Sequence, residues 1–300
     1  MTKLTDFQFI LLDVETCNFE DPKVIELAAL LWSHGRPIRA QDFKETYVNP
    51  GQKIDPASQS VHHISNKDID GAPFLSEIDQ EWTEWALEEE RIIVAYNSEF
   101  DRTSLRTTGL FPLRWMDAYR GAMHFWSIGD KNKDGFPLTS LKQQELRYWL
   151  DLPNVTGDAH RAAADIQVTA HILSRMIDIY LECGHPNDIT AFTNFINGPI
   201  CHSVIPIGGK PYQGKTPEEI DDWAIKKAFD PENYAHESFK KFDILDCLRP
   251  EYIRRFGKEP EKIKKIETKS LSFTDARIKN EHKLPPAEKA PPSPSRWKRS

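Results

Sequence analysis

Residues 7–17 read FQFILLDVETC, an apolar run of strand length that ends in two carboxylates. Alternate side chains along a strand face the same way, so Asp13 and Glu15 share one face. Side by side they repel, and each raises the other's pKa unless a cation separates them. A hard divalent ion with oxygen ligands suits such a pair. The stretch therefore predicts an interior strand whose last residues open into a charged site. Asp-x-Glu alone is a short pattern, and its meaning depends on what the rest of the chain brings to it.

Working outward, VIELAALLWS (24–33) and FKETYVNPG (43–51) follow after short turns and predict a three-strand meander. SEIDQEWTEWALEEE (76–90) has helical spacing, with Ile78, Trp82, Trp85 and Ala86 on one side. RIIVAYN (91–97) reads as a buried strand, and SEFDRTSLRTTG (98–109) as a short helix stopped by Gly109. Asp101 lies about a turn into that helix, with Asn97 at the strand end and Phe100 beside it. RWMDAYRGAMHFW (114–126) mixes strand and helix signals, and LTSLKQQELRYWL (138–150) is amphipathic. In RAAADIQVTAHILSRMIDIYL (161–181), Ala164, Val168, Ile172 and Met176 recur at helical spacing. Strands first, then strand–helix alternation, imply an α/β chain with helices on the faces of a mixed sheet.

The stretch GDAHRAAADIQ (157–167) carries His160 and Asp165. Residues five apart on a helix point about 140° away from each other, so these two do not share a helical face. His160 belongs on the entry loop, and Asp165 in the first turns of a helix that starts near Arg161. Asp is a poor interior helix residue, so its presence suggests a partner.

Composition narrows the classes. A chain of 300 residues with 39% hydrophobic and 11% aromatic side chains buries a sizeable core in one large or two modest domains. No apolar run approaches the roughly 18 residues that span a bilayer, and MTKLTDFQF lacks a signal-peptide core. The expectation is a cytoplasmic setting with no membrane partner. Cys17, Cys183, Cys201 and Cys247 are scattered, which favours reduced thiols over a disulfide framework. Cys183, His185, Cys201 and His202 formally make a zinc set, but the spacing is unlike the usual ligand gaps and ordinary loop residues are the preferred reading. Charge is uneven. Residues 258–300 hold twelve Lys/Arg against six Asp/Glu, so a net charge of −7 leaves about −13 on residues 1–257. The Pro-, Ser- and Lys-rich end has the composition of a disordered tail.

Taken together, Asp-x-Glu, then Asn-x-x-Phe-Asp, then His-x4-Asp resemble the three sequence blocks of the DEDDh group of 3′-to-5′ exonucleases in the DnaQ-like family. SVHHISNKDIDGAPFLSEI (60–78) is similar to that family's Val-His-x-Ile-Thr stretch, and the resemblance covers residues 7–181. Glu-Thr-Cys in the first block and Asn-x-x-Phe-Asp-Arg in the next are most similar to the exonuclease X branch. IPIGGKPYQGKTPEEI (205–220) resembles a small strand-turn-strand module that follows the core there.

The resemblance implies a ribonuclease-H-like exonuclease fold, with a mixed five-stranded sheet and the site at the strand ends. It implies an exonuclease domain over 1–183, a small α+β extension over 184–257 and a basic tail over 258–300. Carried onto this chain, Asp13, Glu15, Asp101 and Asp165 would hold two Mg²⁺ (or Mn²⁺) ions, with His160 as general base. Thr16 and Cys17 would flank the terminal nucleotide, Asn97 would steady it, and His62 of the Val-His stretch would lie on the substrate side. Phe100 reads as a stacking surface or as core, with core preferred. Many relatives carry Thr or Gly where this chain has Cys17 and Asn18, and Asp158 reads as a loop residue beside His160. The implied reaction releases nucleoside monophosphates from DNA 3′ ends, single-stranded or frayed, in repair or proofreading. An RNA-trimming exonuclease of the same fold, and a non-catalytic polymerase- or repair-associated binding module, stay open as alternatives. The full carboxylate set favours catalysis, because a binding module has no need to hold like charges together.

An acidic body must still approach a polyanion, and positive charge is concentrated from Lys258 onward. Truncation after Gly257 is expected to weaken DNA binding, flatten its salt dependence by a few phosphate equivalents and leave the maximal rate nearly intact. Michaelis constants at about 50 and 200 mM salt check this, and identical constants for both proteins at both salts would remove the tail from the substrate path.

Overall fold

The computed structural model describes residues 2–88, 91–153, 155 and 161–260. Five strands, β1 (Phe9–Thr16), β2 (Val24–Trp32), β3 (Phe43–Tyr47), β4 (Ile92–Ala95) and β5 (Trp115–Asp117), form one sheet in the order β3-β2-β1-β4-β5. β1 pairs antiparallel with β2 and parallel with β4, which makes it the strand where the sheet changes direction. β3 adds antiparallel to β2, and β5 adds parallel to β4. This is the mixed five-stranded sheet that the sequence led us to expect.

The helices are α1 (Pro56–His62), α2 (Leu75–Leu87), α3 (Ser98–Ser104), α4 (Ala118–Phe125), α5 (Gln143–Trp149), α6 (Ala162–Glu182), α7 (Ile189–Asn197), α8 (Asp222–Ala228), α9 (His236–Lys241) and α10 (Ile244–Phe256). The two-residue period of β1 sorts its side chains. Phe9 and Leu11 join Ala164's helix, α6, in one core, packed with Ile166, Ile172 and Met176. Ile10, Leu12 and Val14 join Trp82 and Ala86 of α2 in the other. A sheet covered on both faces needs strands that are apolar on both sides, which is why β1 and β2 read as nearly continuous apolar runs. Asp13 and Glu15 continue the Phe9–Leu11 side, so the strand delivers them toward α6. The ambiguous stretch at 114–126 resolves into β5 followed directly by α4, because the Asp117 carboxylate accepts from the N–H groups of Tyr119 and Arg120 and starts the helix there.

The segment expected to be a small α+β extension is helical instead. Among the described residues of 184–257 no strand forms. Residues 205–215 close a tight loop through Ile205 N–H to Lys215 O and Gly214 N–H to Ile205 O, both 2.9 Å. Gly208 and Gly209 turn the chain at φ +101° and +68°, too early for strands to extend. A Cβ on Gly208 would lie 2.5 Å from the Phe239 ring, so this close approach requires glycine. Nor does the core divide at residue 183. One hydrophobic cluster runs from Leu4 and the strands through Phe192, Phe239 and Leu248, and the chain up to Pro260 is one compact unit.

Arg120 ties α4 to that helical segment. Its guanidinium donates to the carbonyls of Ile196 (3.2 Å), Lys241 (2.7 Å) and Gly198 (2.6 Å), and to the Asp243 carboxylate (2.7 Å). Truncation would remove a donor from three carbonyls and a carboxylate. Arg120→Ala is expected to lower stability by about 3 kcal/mol, the scale for breaking a largely buried ion pair. It should also make the chain beyond residue 183 the first to be cut in limited proteolysis. Denaturant unfolding together with a proteolysis time course checks both.

Candidate active site

Asp13 and Glu15 stand at the carboxyl end of β1, and α6 crosses above them. Asp165, in the first turn of α6 and buried, completes a group whose ligand oxygens all lie within 4.8 Å of one another. Asp101 comes from the first turn of α3, which starts at Asn97 in the left-handed conformation (φ +66°). That conformation turns the chain sharply from β4 into α3 and brings Asp101 back over β1. Its Oδ1 accepts the N–H of Val14 at 3.1 Å, so the residue between Asp13 and Glu15 is itself fastened to the next carboxylate.

Burial pushes the Asp13 carboxyl well above its usual range, and the charges of Asp101, Glu15, Asp165 and Glu26 push the same way. Glu15 rises to about 8, first through burial and then through Asp165, Glu26 and Asp101, with Arg161 opposing. Asp101 also rises to about 8 through burial, against the stabilising Val14 N–H. Carboxylates crowded enough to raise one another in this way suit a cation between them. The three converging carboxylates are hard oxygen donors, which suit a hard divalent cation and are poorly matched to soft metals.

Several residues that the sequence reading missed fix the position of Asp165. Glu26 of β2 faces Glu15 in the register and is buried. It accepts from Arg161 Nη2 at 2.6 Å and Nε at 3.2 Å, and from the Ala162 N–H at 3.0 Å. Arg161 also donates to the Tyr47 hydroxyl at 2.8 Å, so the start of α6 is docked on β2 and β3. Gln144 Nε2 donates to Asp165 Oδ1 at 2.7 Å, and Gln143 Nε2 to the Asp165 carbonyl at 2.7 Å. A lone Glu inside VIELAALLW was the available signal for Glu26, since an unpaired acid does not sit in a strand buried on both faces.

The other expected contacts divide. Asn97 is exposed at the end of β4, with its backbone N–H on Asp117 Oδ1 at 3.1 Å. Phe100, for which core was the preferred reading, is 36% exposed instead, because Asp101 and Ser104 take the inward face of the short α3. Thr16, Cys17 and His62 are enclosed. Thr16 Oγ1 donates to the Asn18 carbonyl at 3.2 Å. Cys17, fully buried, packs with Ile25, Ile54 and Ile64, and its sulfur accepts from Gln52 Nε2 at 2.9 Å. His62 is 2% exposed and its Nδ1 accepts the Ile64 N–H at 3.0 Å. His160 and Asp158 lie outside the described residues. The Cys/His set does not converge either. His202 Nε2 meets the Phe242 carbonyl at 2.7 Å, and His185 stacks on Tyr180.

A family model described as Exonuclease matches residues 10–173. A DNA polymerase III PolC-type protein of Staphylococcus epidermidis is 27% identical over 188 residues, which is 62% of this chain and 12% of that protein. The chain therefore spans about an eighth of the length of this curated relative. Among solved structures, Exonuclease X in complex with 5′ overhanging duplex DNA aligns at 21% identity and a TM-score of 0.47, covering 63% of this chain and 99% of that one. Escherichia coli Exonuclease I in complex with a dT13 oligonucleotide aligns at 15% identity and 0.48, covering 59% and 42%.

The raised carboxyl values make a stability prediction. The folded protein without metal holds protons on Glu15 and Asp101 that the unfolded chain releases near pH 4. Between roughly pH 4 and 8 the native state therefore binds more protons, and stability falls as pH rises through that window. In chelator, Asp13→Asn is expected to unfold at higher denaturant than wild type at pH 8, with the gap closing toward pH 5. Added Mg²⁺ should stabilise wild type more than the variant. Equal midpoints for the two proteins at both pH values would contradict the crowded-carboxylate reading.

Proposed function

This chain belongs to the exonuclease family, and from that premise we propose that it removes nucleoside monophosphates from the 3′ ends of DNA, single-stranded or frayed. The convergence of Asp13, Glu15 and Asp165 within 4.8 Å carries this reading. Together with Asp101 they would hold two Mg²⁺ or Mn²⁺ ions. Bound there, such ions supply Lewis-acid stabilisation to the oxygens entering and leaving a phosphodiester. The protein's own part is positional and acid–base. Asp101 fixes the end of β1 through the Val14 N–H. Gln144, and Glu26 through Arg161, hold Asp165 over that strand end. We assign to the His160 imidazole the role of accepting the proton of the attacking water, which the ordinary near-neutral pKa of an imidazole suits. To Asn97, exposed at the end of β4, we assign a hydrogen bond to the terminal nucleotide. Kinship with a DNA polymerase III protein favours DNA over RNA, and makes a polymerase or repair complex in the cytoplasm the partner to look for.

Asp13→Asn is expected to abolish nuclease activity in Mg²⁺ while leaving the fold intact. Activity within tenfold of wild type would defeat the metal assignment. His160→Ala should slow hydrolysis by about a hundredfold, the scale of a positioned general base, without comparable loss of metal binding. The wild-type rate should climb between roughly pH 6 and 8 as the imidazole loses its proton, and the variant should lack that rise. Side-by-side digestion of matched DNA and RNA oligonucleotides, labelled at either end, reads sugar preference and polarity together.

A further inference from the structure

Beside the carboxylates lies a cleft of about 490 Å³ with two different walls. The near wall is exonuclease core and includes Tyr96, Asn97, Tyr119, Lys142 and Gln143. It is continuous with the site. Asn97 starts the helix that carries Asp101, and Gln143 donates to the backbone of Asp165. The far wall, with Gly208, Tyr234 and Phe242, comes from the helical segment beyond residues 10–173, outside the part of the chain that the family model matches.

Tyr234 is the unusual member of that wall. It is 77% exposed, yet its hydroxyl donates to the Gly208 carbonyl at 2.6 Å. That carbonyl is itself rigidly placed. Gly208 is pressed on Phe239, Phe239 packs edge-on against Tyr212 at 4.8 Å, and the Tyr212 hydroxyl is bonded to the Ala224 carbonyl at 2.9 Å. The ring is thus held open to solvent by a polar tether and a packed base. An exposed aromatic held in this way offers a stacking face at little entropic cost. Across the cleft Lys142 is exposed, and a flexible ammonium matches phosphate as a point charge. Aromatic faces beside a cation are the pattern that grips unpaired nucleotides without regard to sequence.

The geometry points to this cleft as the binding place for unpaired nucleotides that lie upstream of the 3′ end, with a base on Tyr234 and a phosphate at Lys142. The inference rests on the proposed nuclease reading for its choice of occupant. It adds a strand-holding function to the helical segment, and it makes single-stranded DNA of several nucleotides a better substrate than a minimal phosphodiester. A paired base has both faces stacked and its edge occupied, so duplex is disfavoured at this position.

Two measurements test it. The first is fluorescence anisotropy of 5′-labelled dT12 with Ca²⁺ in place of Mg²⁺, which reads binding whether or not the strand is cut. Tyr234→Ala should raise Kd about tenfold, within the range for losing one base–aromatic stack. Lys142→Ala should raise it less and flatten its salt dependence, and Tyr234→Phe, which keeps the ring, should stay within about threefold of wild type. Tyr148→Ala, on the exposed face of α5, is the control and should bind as wild type does. The second is kcat/KM for dT12 relative to thymidine 5′-p-nitrophenyl phosphate. That ratio should fall about tenfold in Tyr234→Ala and hold in Tyr148→Ala. No binding by wild type, or equal Kd for wild type and Tyr234→Ala, overturns the cleft even when the strand is cut. Weakened binding by Tyr234→Ala in a protein that cuts neither substrate upholds the cleft and overturns the nuclease reading.

Discussion

Like charge held at the end of one strand is the constraint around which this chain is arranged. Asp13, Glu15, Asp101 and Asp165 come from three separate elements, and nothing in their mutual interaction draws them together. Three neighbouring contacts work against that repulsion. The Val14 N–H meets Asp101, Gln144 meets Asp165, and Arg161 brings a positive charge near through Glu26. Even so, burial holds the Asp13, Glu15 and Asp101 carboxyls above their ordinary values, helped at Asp13 and Glu15 by the charges of the other acids. A fold with no use for a cation would gain stability by replacing one of these acids with a neutral residue. The crowding of Asp13, Glu15 and Asp165 at one strand end therefore fits a chemical role better than a packing one.

The sheet explains how such a group can be assembled at all. β1 is the strand with an antiparallel neighbour on one side and a parallel neighbour on the other. Its carboxyl end is where the chain returning from β4 turns away into α3, and that change of direction leaves the crevice in which open α/β sheets bind their ligands. α6 closes the crevice from above, and the Glu26–Arg161 pair fixes its starting point against β2 and β3. Displacing the start of α6 would move Asp165 with it, so a pair that touches no substrate still sets the geometry of the site.

What the sequence disclosed follows from what is local. The two-residue period of β1 and the helical periods of α2 and α6 are properties of single segments, and the strands and helices formed where those periods placed them. Asp13, Glu15 and Asp165 converge as their blocks suggested, with Asp101 fastened to the same strand end. Glu26 was hidden because its meaning lies in Arg161, 135 residues away. Cys17 sits in a recognisable motif, but whether a motif residue faces solvent or a core is decided here by Ile25, Ile54 and Ile64 packing over it. Phe100 erred in the other direction, because a helix as short as α3 has one inward face and Asp101 and Ser104 fill it. Residues 205–220 carry the Gly and Lys of a hairpin, but the aromatic pair beneath Gly208 holds the loop too tightly for strands to extend.

The helical segment gives the last of these points a wider meaning. A chain needs only the sheet, α3 and α6 to gather four carboxylates, and the family match ends inside α6 at residue 173. The residues beyond it are nonetheless built into the same hydrophobic core, and Arg120 commits its guanidinium to their carbonyls. A segment anchored this firmly belongs to the same compact unit as the strands that carry the carboxylates. On the proposed reading, a rigid wall at a fixed distance from the carboxylates would convert binding of a strand into placement of its end, because stacking an upstream base would limit where the terminal phosphodiester could lie. Positioning of that kind lowers the entropic part of a barrier, and it requires the wall and the carboxylates to share a scaffold. The bond from Gln143 to Asp165 supplies that link, since Gln143 belongs to the cleft and to the site at once.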